Sequence, residues 1–177
     1  MHSPTAPARP EPGEFLPYYG QYIALVPEGD LLAILAAQIE ETVTLLQALP
    51  PAAATRRPAP AAWSPLDIAV HLADCERAFA YRAFTFARMD GAELPGIEPD
   101  DFAVAAEAND RTVSDVVAEL RAVRAASLAL FRGLRPEAWT RRGIASGAEV
   151  SVRALAYIAA GHELHHARDL RRAASTE

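Results

Sequence analysis

The sequence predicts an all-α fold, a four-helix bundle, from three observations. Apolar side chains recur at the helical period in four segments of about 20 residues each. All 14 prolines fall between these segments or at a helix start, where proline is tolerated. Val, Ile and Thr nowhere alternate with polar residues for long, so there is little sign of strands. We assign residues 1–29 to a flexible, aromatic lead-in, 30–172 to the bundle and 173–177 to a tail.

Composition and charge exclude several classes of protein. The chain has 177 residues, enough for one domain, and its net charge of −6 argues against binding nucleic acid by neutralising phosphates. All 17 basic residues are arginine, which excludes lysine Schiff-base chemistry. The single cysteine, Cys75, cannot form an internal disulfide, and no apolar run approaches the length of a membrane span. We therefore predict a cytoplasmic protein with no nucleic-acid or membrane partner.

The N-terminal lead-in combines prolines with a cluster of aromatic residues. Residues 1–12 are proline-rich and do not resemble a signal peptide, so we expect them to be loose. Tyr18, Tyr19 and Tyr22 follow. They either hold this segment against the outside of the core or form the wall of a pocket, and we favour the first interpretation.

The first long helix is predicted to begin after Asp30, whose side chain can cap it. It ends near Leu49, because Pro50 and Pro51 cannot continue it. A linker rich in proline and alanine then occupies residues 50–62. The helix has apolar residues at the 3.6-residue period, namely Leu31, Ile34, Leu35, Ile39, Val43, Leu46 and Leu49.

The second long helix has a clear start signal. Ser64 can serve as its N-cap, Pro65 as its first residue and Asp67 as the acidic member of a capping box. Trp63, directly before the cap, is placed to pack against the helix entry, and Gly91 marks the end. The inward stripe of this helix comprises Ile68, Leu72, Cys75, Phe79 and Phe86.

The third long helix is predicted to be capped by Thr112 with Asp115 and to run to about Leu134. The connection before it, residues 91–111, is long enough to cross the end of a bundle. An up-down-down-up order of helices is therefore at least as compatible with the sequence as a simple meander. The inward stripe comprises Val113, Val116, Val117, Leu120, Val123, Ser127 and Leu130.

The fourth long helix, from Ser151 to Arg172, contains three of the five histidines. His162 and His166 are four residues apart and point the same way, toward the side that carries Leu155, Ile158, Ala159 and Leu170. His165 lies about 80° from the centre of that stripe. Two inward imidazoles on one face are either packed core residues or metal ligands, and the pair favours nitrogen ligands for a divalent metal.

The same segment spells H-E-x-x-H from His162 to His166, a pattern found in zinc proteases. The protease interpretation is disfavoured, because no third ligand follows downstream and no sheet is expected to hold a peptide. A third ligand must come from upstream, where His2 lies in the lead-in and His71 at the edge of the second helix's inward stripe. Facing helices of a bundle can bring such a residue to the pair.

Two segments of the chain are similar to the DinB/YfiT-like superfamily. Residues 63–77 contain the pattern W-[ST]-x-x-[DE]-x-x-x-H-L-x-D-x-E, from Trp63 to Glu76, and residues 161–166 fit G-H-E-x-H-H. The resemblance extends from about Tyr18 to Leu170. It implies an up-down-down-up four-helix bundle that is often dimeric. It also implies a metal triad of His71, His162 and His166, with nickel or zinc as the usual metal.

The resemblance also implies a function, by analogy. We expect a metal-dependent enzyme, first a transferase that joins a low-molecular-weight thiol to a small electrophile. The alternatives are a metal-dependent hydrolase and a non-catalytic metal-binding stress-response protein. Expected partners are a small-molecule substrate and a second copy of the chain. Cys75 is expected to be a small buried hydrophobic residue, and Glu163 and His165 are not expected to be ligands.

Overall fold

The computed structural model describes residues 7–60 and 62–175. In chain order its α-helices are Gly20–Ile23 (α1), Leu31–Ala48 (α2), Pro51–Ala54 (α3), Pro65–Arg88 (α4), Pro99–Ala105 (α5), Val113–Arg132 (α6) and Val152–Ala174 (α7). Short 3₁₀ turns occur at Pro17–Tyr19, Ala108–Asp110 and Pro136–Thr140. The four long helices predicted from the sequence are confirmed as α2, α4, α6 and α7, and the fold is predominantly helical.

The predicted caps define the starts of the long helices. The Asp30 side chain accepts hydrogen bonds from the first amides of α2, at 2.9 and 3.3 Å. Ser64 and Asp67 form a reciprocal capping box on α4, with bonds of 3.1 and 2.9 Å. Thr112 and Ser151 accept from the third residues of α6 and α7. Each cap satisfies amides that have no partner within the helix.

A small sheet corrects the all-α prediction. Its strands are Glu93–Leu94 (β1), Arg142–Ala145 (β2) and Ala148–Ser151 (β3). β1 pairs with β2 in parallel, and β2 pairs with β3 in an antiparallel hairpin. The hairpin loop is Ser146–Gly147, with φ of 54° and 75°, as a type I′ turn requires. Strands of two to four residues are too short to show an alternation of apolar and polar residues in the sequence. The Ser146-Gly147 pair is the feature of the sequence that indicates a hairpin turn here.

The neighbours of each long helix follow from the side chains that meet. α2 packs against α6 and α7, and α4 packs against the same two helices. Residue numbers rise together along the α2/α7 and α4/α6 pairs, as in parallel helices. Along the α2/α6 and α4/α7 pairs they rise in opposite directions, as in antiparallel helices. For α2 and α7 the contacts are Gln38–Ala160 and Glu41–Arg171, and for α4 and α6, with the turns that precede them, Ser64–Asn109 and Glu76–Arg124. For α2 and α6 they are Glu40–Arg121 and Leu35–Arg124, and for α4 and α7 they are Trp63–His166 and Phe79–His162.

The N-terminal segment differs from the loose lead-in that the sequence suggested. Residues 1–6 lie outside the described chain, but Pro7 and Pro10 are buried. Arg9 donates hydrogen bonds of 2.7 Å to the carbonyl oxygens of Ile23 and Val26. Farther along, Glu14 pairs with Arg153 at the start of α7. The segment from residue 7 onward therefore packs on the bundle through specific polar contacts.

α2 is the one helix in the described chain that is long and apolar enough to cross a membrane, judged by length and composition alone. This helix corrects the expectation that no apolar run approaches the length of a membrane span. Leu31, Leu35 and Leu46 on its inner face are at most 1% exposed within the core. Its outer face carries Glu40 and Glu41, which pair with arginines of α6 and α7. Its apolar character is accounted for by its place as a core helix of the bundle.

Charged and polar side chains lie across the middle of the bundle. We call this group the buried polar layer; its members are Gln38, Thr42, Glu76, Arg124 and Glu163. Arg124 of α6 donates to both carboxylate oxygens of Glu76, at 2.8 and 2.7 Å, and to Glu163 at 2.7 Å. Thr42 donates to Glu163 at 2.7 Å, and Gln38 donates to it as well. All five residues are at most 7% exposed, and together they belong to α2, α4, α6 and α7.

The buried polar layer separates two apolar clusters. One cluster contains Leu35, Phe79, Leu128 and Ile158, and the other contains Ile39, Leu72, Leu120 and Leu170. Since each long helix contributes to both clusters and to the layer, the layer fixes the height at which the four helices meet. Arg124 lies between Leu120 and Ser127 at the spacing of the inward stripe of α6, although it is absent from the predicted stripe.

Replacing Arg124 by methionine should destabilise the protein strongly. The change leaves Glu76 and Glu163 buried without their shared cation, and loss of one partner of a buried ion pair costs about 3–5 kcal/mol. The free energy of unfolding in urea measures this. The matched control is Arg121→Met on the same helix, whose pair with Glu40 is exposed and should contribute little. Equal stabilities of the two variants would contradict the assigned role of the layer.

Candidate metal centre

His71, His162 and His166 come together in the structure. His71 lies in the first third of α4, and His162 and His166 lie near the middle of α7, which runs the opposite way beside it. One potential ligand nitrogen from each residue lies within 4.8 Å of the others. The Nε2 atoms of His71 and His162 are 3.1 Å apart. The helices thus bring together three residues that are up to 95 positions apart in the chain.

The environment keeps all three imidazoles neutral in the metal-free protein. His71 and His162 are 6% and 7% exposed, and the side chain of His166 is 14% exposed. Burial, with the nearby His166, lowers the pKa of His71 from 6.5 to about 4. Burial and His165 lower the pKa of His166 to about 4, although Asp169 opposes the shift. Burial and the three neighbouring histidines hold the pKa of His162 well below its ordinary value.

This donor set fits a divalent metal. Neutral imidazole nitrogens are ligands for zinc, nickel and related ions. Two nitrogens about 2.05 Å from a tetrahedral zinc would lie about 3.3 Å apart, which is close to the observed separation of 3.1 Å. Three protein ligands leave a position for another ligand, as catalytic zinc sites do. Nδ1 of His166 is buried without a hydrogen-bond partner, and Oδ2 of Asp169 lies 3.6 Å from it.

A second group of potential ligands shares His166. It consists of His165, His166 and Asp169, all of intermediate burial. It competes with the triad as a site for the metal, and it differs from the triad in lacking His71 and His162. Variants on either side of His166 can therefore tell the two groups apart.

Aromatic rings surround the triad. The ring centroid of Trp63 lies 4.5 Å from that of His71, and that of Phe79 lies 5.9 Å from that of His162. Tyr22 lies between His162 and His165, with centroid separations of 5.4 and 5.3 Å. The sequence favours a packing role for the tyrosines on the outside of the core. Tyr22 is buried as expected, but it also borders the candidate centre.

Gly161 explains how Tyr22 reaches the centre. A Cβ atom at Gly161 would lie 2.0 Å from the carbonyl oxygen of Tyr22, so only glycine allows the backbone of α1 to approach α7 this closely. The glycine directly before His162 in the G-H-E-x-H-H pattern therefore has a packing function. That function depends on a contact with a residue 139 positions earlier, which the local sequence does not reveal.

Glu163 faces the bundle interior and not the triad. Its Oε1 atom accepts from Thr42, and its Oε2 atom accepts from Arg124 and Gln38. In a zinc protease, the corresponding glutamate serves as a general base. Here both carboxylate oxygens are occupied by donors from α2 and α6, so the geometry agrees with a structural role.

Cys75 lies beside the triad but outside it. Its Sγ atom is 3.6 Å from Nε2 of His71, yet the cysteine does not belong to either group of potential ligands found in the described chain. Burial, followed by the charge of Asp74, raises the pKa of the Cys75 thiol to about 12. The thiol therefore stays protonated at neutral pH in the metal-free protein, as expected of a buried hydrophobic residue.

The triad borders two cavities. A large pocket of about 860 Å³ opens to solvent and is lined by His166 and Trp63, together with residues of the linker before α4 and the last turns of α7. A cavity of about 10 Å³ lies between His162 and the buried polar layer. The smaller one is close to the space that a single water molecule needs. The larger one falls within the range of small-molecule binding sites, about 300–1,000 Å³.

Comparison with known proteins agrees with this architecture. Residues 34–170 match the DinB superfamily. The fold resembles that of YfiT from Bacillus subtilis, described as a probable metal-dependent hydrolase with an unusual four-helix bundle topology. The TM-score is 0.70 at 13% identity, over 94% of this chain and 91% of that one. The fold also resembles that of YjoA, a DinB-like protein from the same organism, with a TM-score of 0.60 at 17% identity, over 82% of this chain and 90% of that one. None of the curated proteins compared with the chain matches it.

Alanine at His71 or His162 should lower the affinity for zinc by more than about tenfold, since even outer-shell changes cost that much. Elemental analysis and zinc titration of the purified variants measure this. His165→Ala is the matched control on α7, because it removes an imidazole of the second group and leaves the triad intact. The triad is wrong as the ligand set if His165→Ala loses the metal while His71→Ala retains it.

The stability of the metal-free protein should fall as the pH drops from about 6.5 toward 4. In this range the unfolded histidines, with an ordinary pKa of 6.5, bind protons that folded His71 and His166, with pKa values of about 4, do not. Protons therefore favour the unfolded chain. Urea unfolding at pH 7, 6 and 5 measures the slope. A His71→Asn/His166→Asn variant should show a shallower slope, and parallel slopes would contradict the assignment.

Proposed function

This chain belongs to the DinB superfamily, and on that premise we propose that it is a metal-dependent enzyme acting on a small molecule. His71, His162 and His166 would hold a divalent metal, with zinc and nickel as the first candidates. The observation that carries the proposal is the position of the triad: three neutral imidazoles meet where a pocket of about 860 Å³ reaches His166. A purely structural metal would more commonly have four protein ligands and no adjoining pocket.

The metal would supply Lewis acidity toward an external nucleophile or a substrate carbonyl. The protein residues have separate tasks. Burial lowers the pKa of the three imidazoles, which keeps them in the neutral form at neutral pH. One nitrogen of each ring then has a lone pair for a metal. The Asp169 carboxylate, 3.6 Å from Nδ1 of His166, is too far away for a hydrogen bond, but its negative charge would favour a proton on that nitrogen and leave Nε2 for the metal.

The surrounding rings limit the access of water. Tyr22, Trp63 and Phe79 pack against the imidazole cluster, with ring-centroid distances of 4.5 to 5.9 Å to a histidine ring. The side toward the large pocket stays open through His166. A substrate would therefore approach along the pocket. Its reacting group would meet the centre in an environment where polar interactions are stronger than in water.

Hydrolysis is the reaction that we place first. It agrees with the description of YfiT, whose fold this chain shares, and it needs only water as a second reactant. Glu163 is engaged by Arg124 and cannot serve as the base. Among the described residues near the triad, His165 and Asp169 are the titratable groups that remain partly accessible.

Thiol transfer, the first expectation from the sequence, is the second candidate. The volume of the pocket supports it, since about 860 Å³ exceeds the needs of one small electrophile and has room for a thiol cosubstrate. The thiol would have to come from outside the chain, because the buried Cys75 stays protonated. A non-catalytic stress-response protein is the third, and the open pocket beside the triad argues against it.

Three further proposals accompany the function. The up-down-down-up order is supported by the parallel contacts of α2 with α7 and of α4 with α6.

A homodimer is supported by exposed Tyr81 and Phe84 on the outer face of α4, and size-exclusion chromatography with light scattering tests it. A cytoplasmic location agrees with the single, free and buried cysteine.

The reaction rate of the zinc- or nickel-loaded protein should be at least tenfold higher than that of the metal-free protein in one of two assays. The first is hydrolysis of p-nitrophenyl acetate, and the second is conjugation of glutathione with 1-chloro-2,4-dinitrobenzene. The His162→Ala variant should fall to the metal-free rate, because the ligand set is broken. Glu163→Gln should retain activity wherever it retains stability. Rates in both assays that are independent of the metal and of His162 would count against an enzyme of either class.

A further inference from the structure

We propose that the protein has a second ligand site, a pocket of about 320 Å³ between α4 and residues 94–102, which binds a small aromatic carboxylate or phosphate. The anionic group of the ligand would pair with Arg82, a buried arginine of α4. This inference goes beyond the proposed function. The pocket shares no lining residue with the large pocket at His166, and the triad does not line it.

Arg82 is a buried cation without a counter-ion close to it. It is 6% exposed, and its Nη2 atom donates a hydrogen bond of 3.1 Å to Oγ of Ser146. Among the residues that the structure describes, none forms an ion pair with Arg82. The serine hydroxyl occupies one of the five N–H donors of the guanidinium and supplies no negative charge. A buried charge is costly unless it is paired, so Arg82 is suited to an anion from outside the chain.

The acidic residue that lines this pocket, Asp74, already belongs to a balanced group of charges. It pairs with Arg77 at 3.0 Å, and Arg77 also pairs with Glu119 at 2.6 Å. Glu119 in turn pairs with Arg111 at 2.6 Å. These two carboxylates and two guanidinium groups balance one another, so the charge of Arg82 stays uncompensated.

The other side of Arg82 does not supply a counter-charge either. Tyr19 and Glu149 line a small cavity of about 20 Å³ together with Arg82. Glu149 pairs with Arg142 at 2.6 Å across the β2–β3 hairpin. Burial raises the pKa of Tyr19, although the charge of Arg82 opposes the shift, so the tyrosine hydroxyl is neutral at neutral pH. Of the two spaces beside Arg82, the one of about 320 Å³ is large enough for an organic anion.

The hydrogen-bond partner of Arg82 locates its guanidinium within the pocket. Ser146 lies at the tip of the β2–β3 hairpin, next to Gly96, where an added Cβ atom would be 3.4 Å from the serine Oγ. Gly96 lies between Pro95 and Ile97, which line the pocket opposite α4. The guanidinium group therefore lies where α4, the hairpin and the segment after β1 meet.

The walls of the pocket suit an apolar ring. Apart from the three charged residues, they are Ala78, Tyr81, Leu94, Pro95, Ile97 and Phe102. Tyr81 and Phe102 are 57% and 48% exposed, so the pocket is open to solvent between these two rings. A cavity of about 150 Å³ can hold benzene, so about 320 Å³ accommodates one ring with an anionic group. A guanidinium binds a carboxylate or a phosphate through two parallel hydrogen bonds.

Matched probes test this site on the metal-free protein, separately from the metal centre. They are phenyl phosphate, phenylacetate and the neutral phenylacetamide, titrated by calorimetry. At least one anionic probe should bind about tenfold more tightly than the amide, the gain of a charge-assisted over a neutral hydrogen bond. The His162→Ala variant should bind the probes like the wild type, whatever becomes of its metal. Equal binding of all three probes, or no binding of any, would overturn the inference.

Variants of α4 test the role of the arginine. Arg82→Gln removes the charge and keeps a side chain that can donate to Ser146, and it should abolish the preference for the anion. Arg88→Gln, which changes an exposed arginine in the last turn of the same helix, is the matched control and should bind like the wild type. An anion preference that survives in Arg82→Gln refutes the inference.

A second variant tests the pocket while leaving Arg82 in place. Ala78→Phe puts a ring into the pocket from the half-buried face of α4 and should abolish binding of the probes. Unchanged affinity in this variant would show that the anion binds elsewhere. A wild-type dimer that becomes monomeric in Arg82→Gln and binds no probe would assign the counter-ion to a second copy of the chain. Either result overturns the small-molecule site.

Discussion

The ion pairs of Arg124 with Glu76 and Glu163 are the constraint on which the rest of the structure depends. Three charges are buried between two apolar clusters, and the layer that contains them touches all four long helices. Buried charges are costly unless each has a close partner. A shift of any helix along its axis would separate the partners, so the layer selects one relative height for the helices among several that apolar packing alone would tolerate.

This constraint reaches the candidate centre through successive residues. Glu163 follows His162, and neighbouring positions on a helix point about 100° apart. When Glu163 is held by Arg124 and Thr42, His162 is turned toward α4 and meets His71 at 3.1 Å. His166 follows one turn later on the same face. The glutamate of the H-E-x-x-H segment thus orients the ligands, a task different from the base that the same letters denote in proteases.

The sequence predicts those features whose determinants are local. Asp30, Ser64 and Thr112 sit beside the amides that they cap, and the spacing of His162 and His166 places them on one face without reference to other helices. The features that were missed depend on distant partners. Arg124 has the spacing of the inward stripe of α6, but a charged residue at that position is accounted for only by Glu76 and Glu163 of other helices, and Tyr22 reaches the centre only because Gly161 admits its backbone. The histidine pair of α7 requires a third ligand from upstream and leaves His2 and His71 as candidates, and the family resemblance then favours His71.

The separation of the buried polar layer from the large pocket also bears on the chemistry. Both oxygens of Glu163 are committed to the layer, and the Cys75 thiol is buried and protonated, so neither can act as a nucleophile or base for a molecule in the pocket. The ionisable groups that line the pocket are His166, Asp100, Asp169 and the arginines Arg56, Arg57 and Arg172. A reaction at this centre would therefore rely on an external nucleophile and on binding energy from the pocket walls, with the protein supplying position more than reactive side chains.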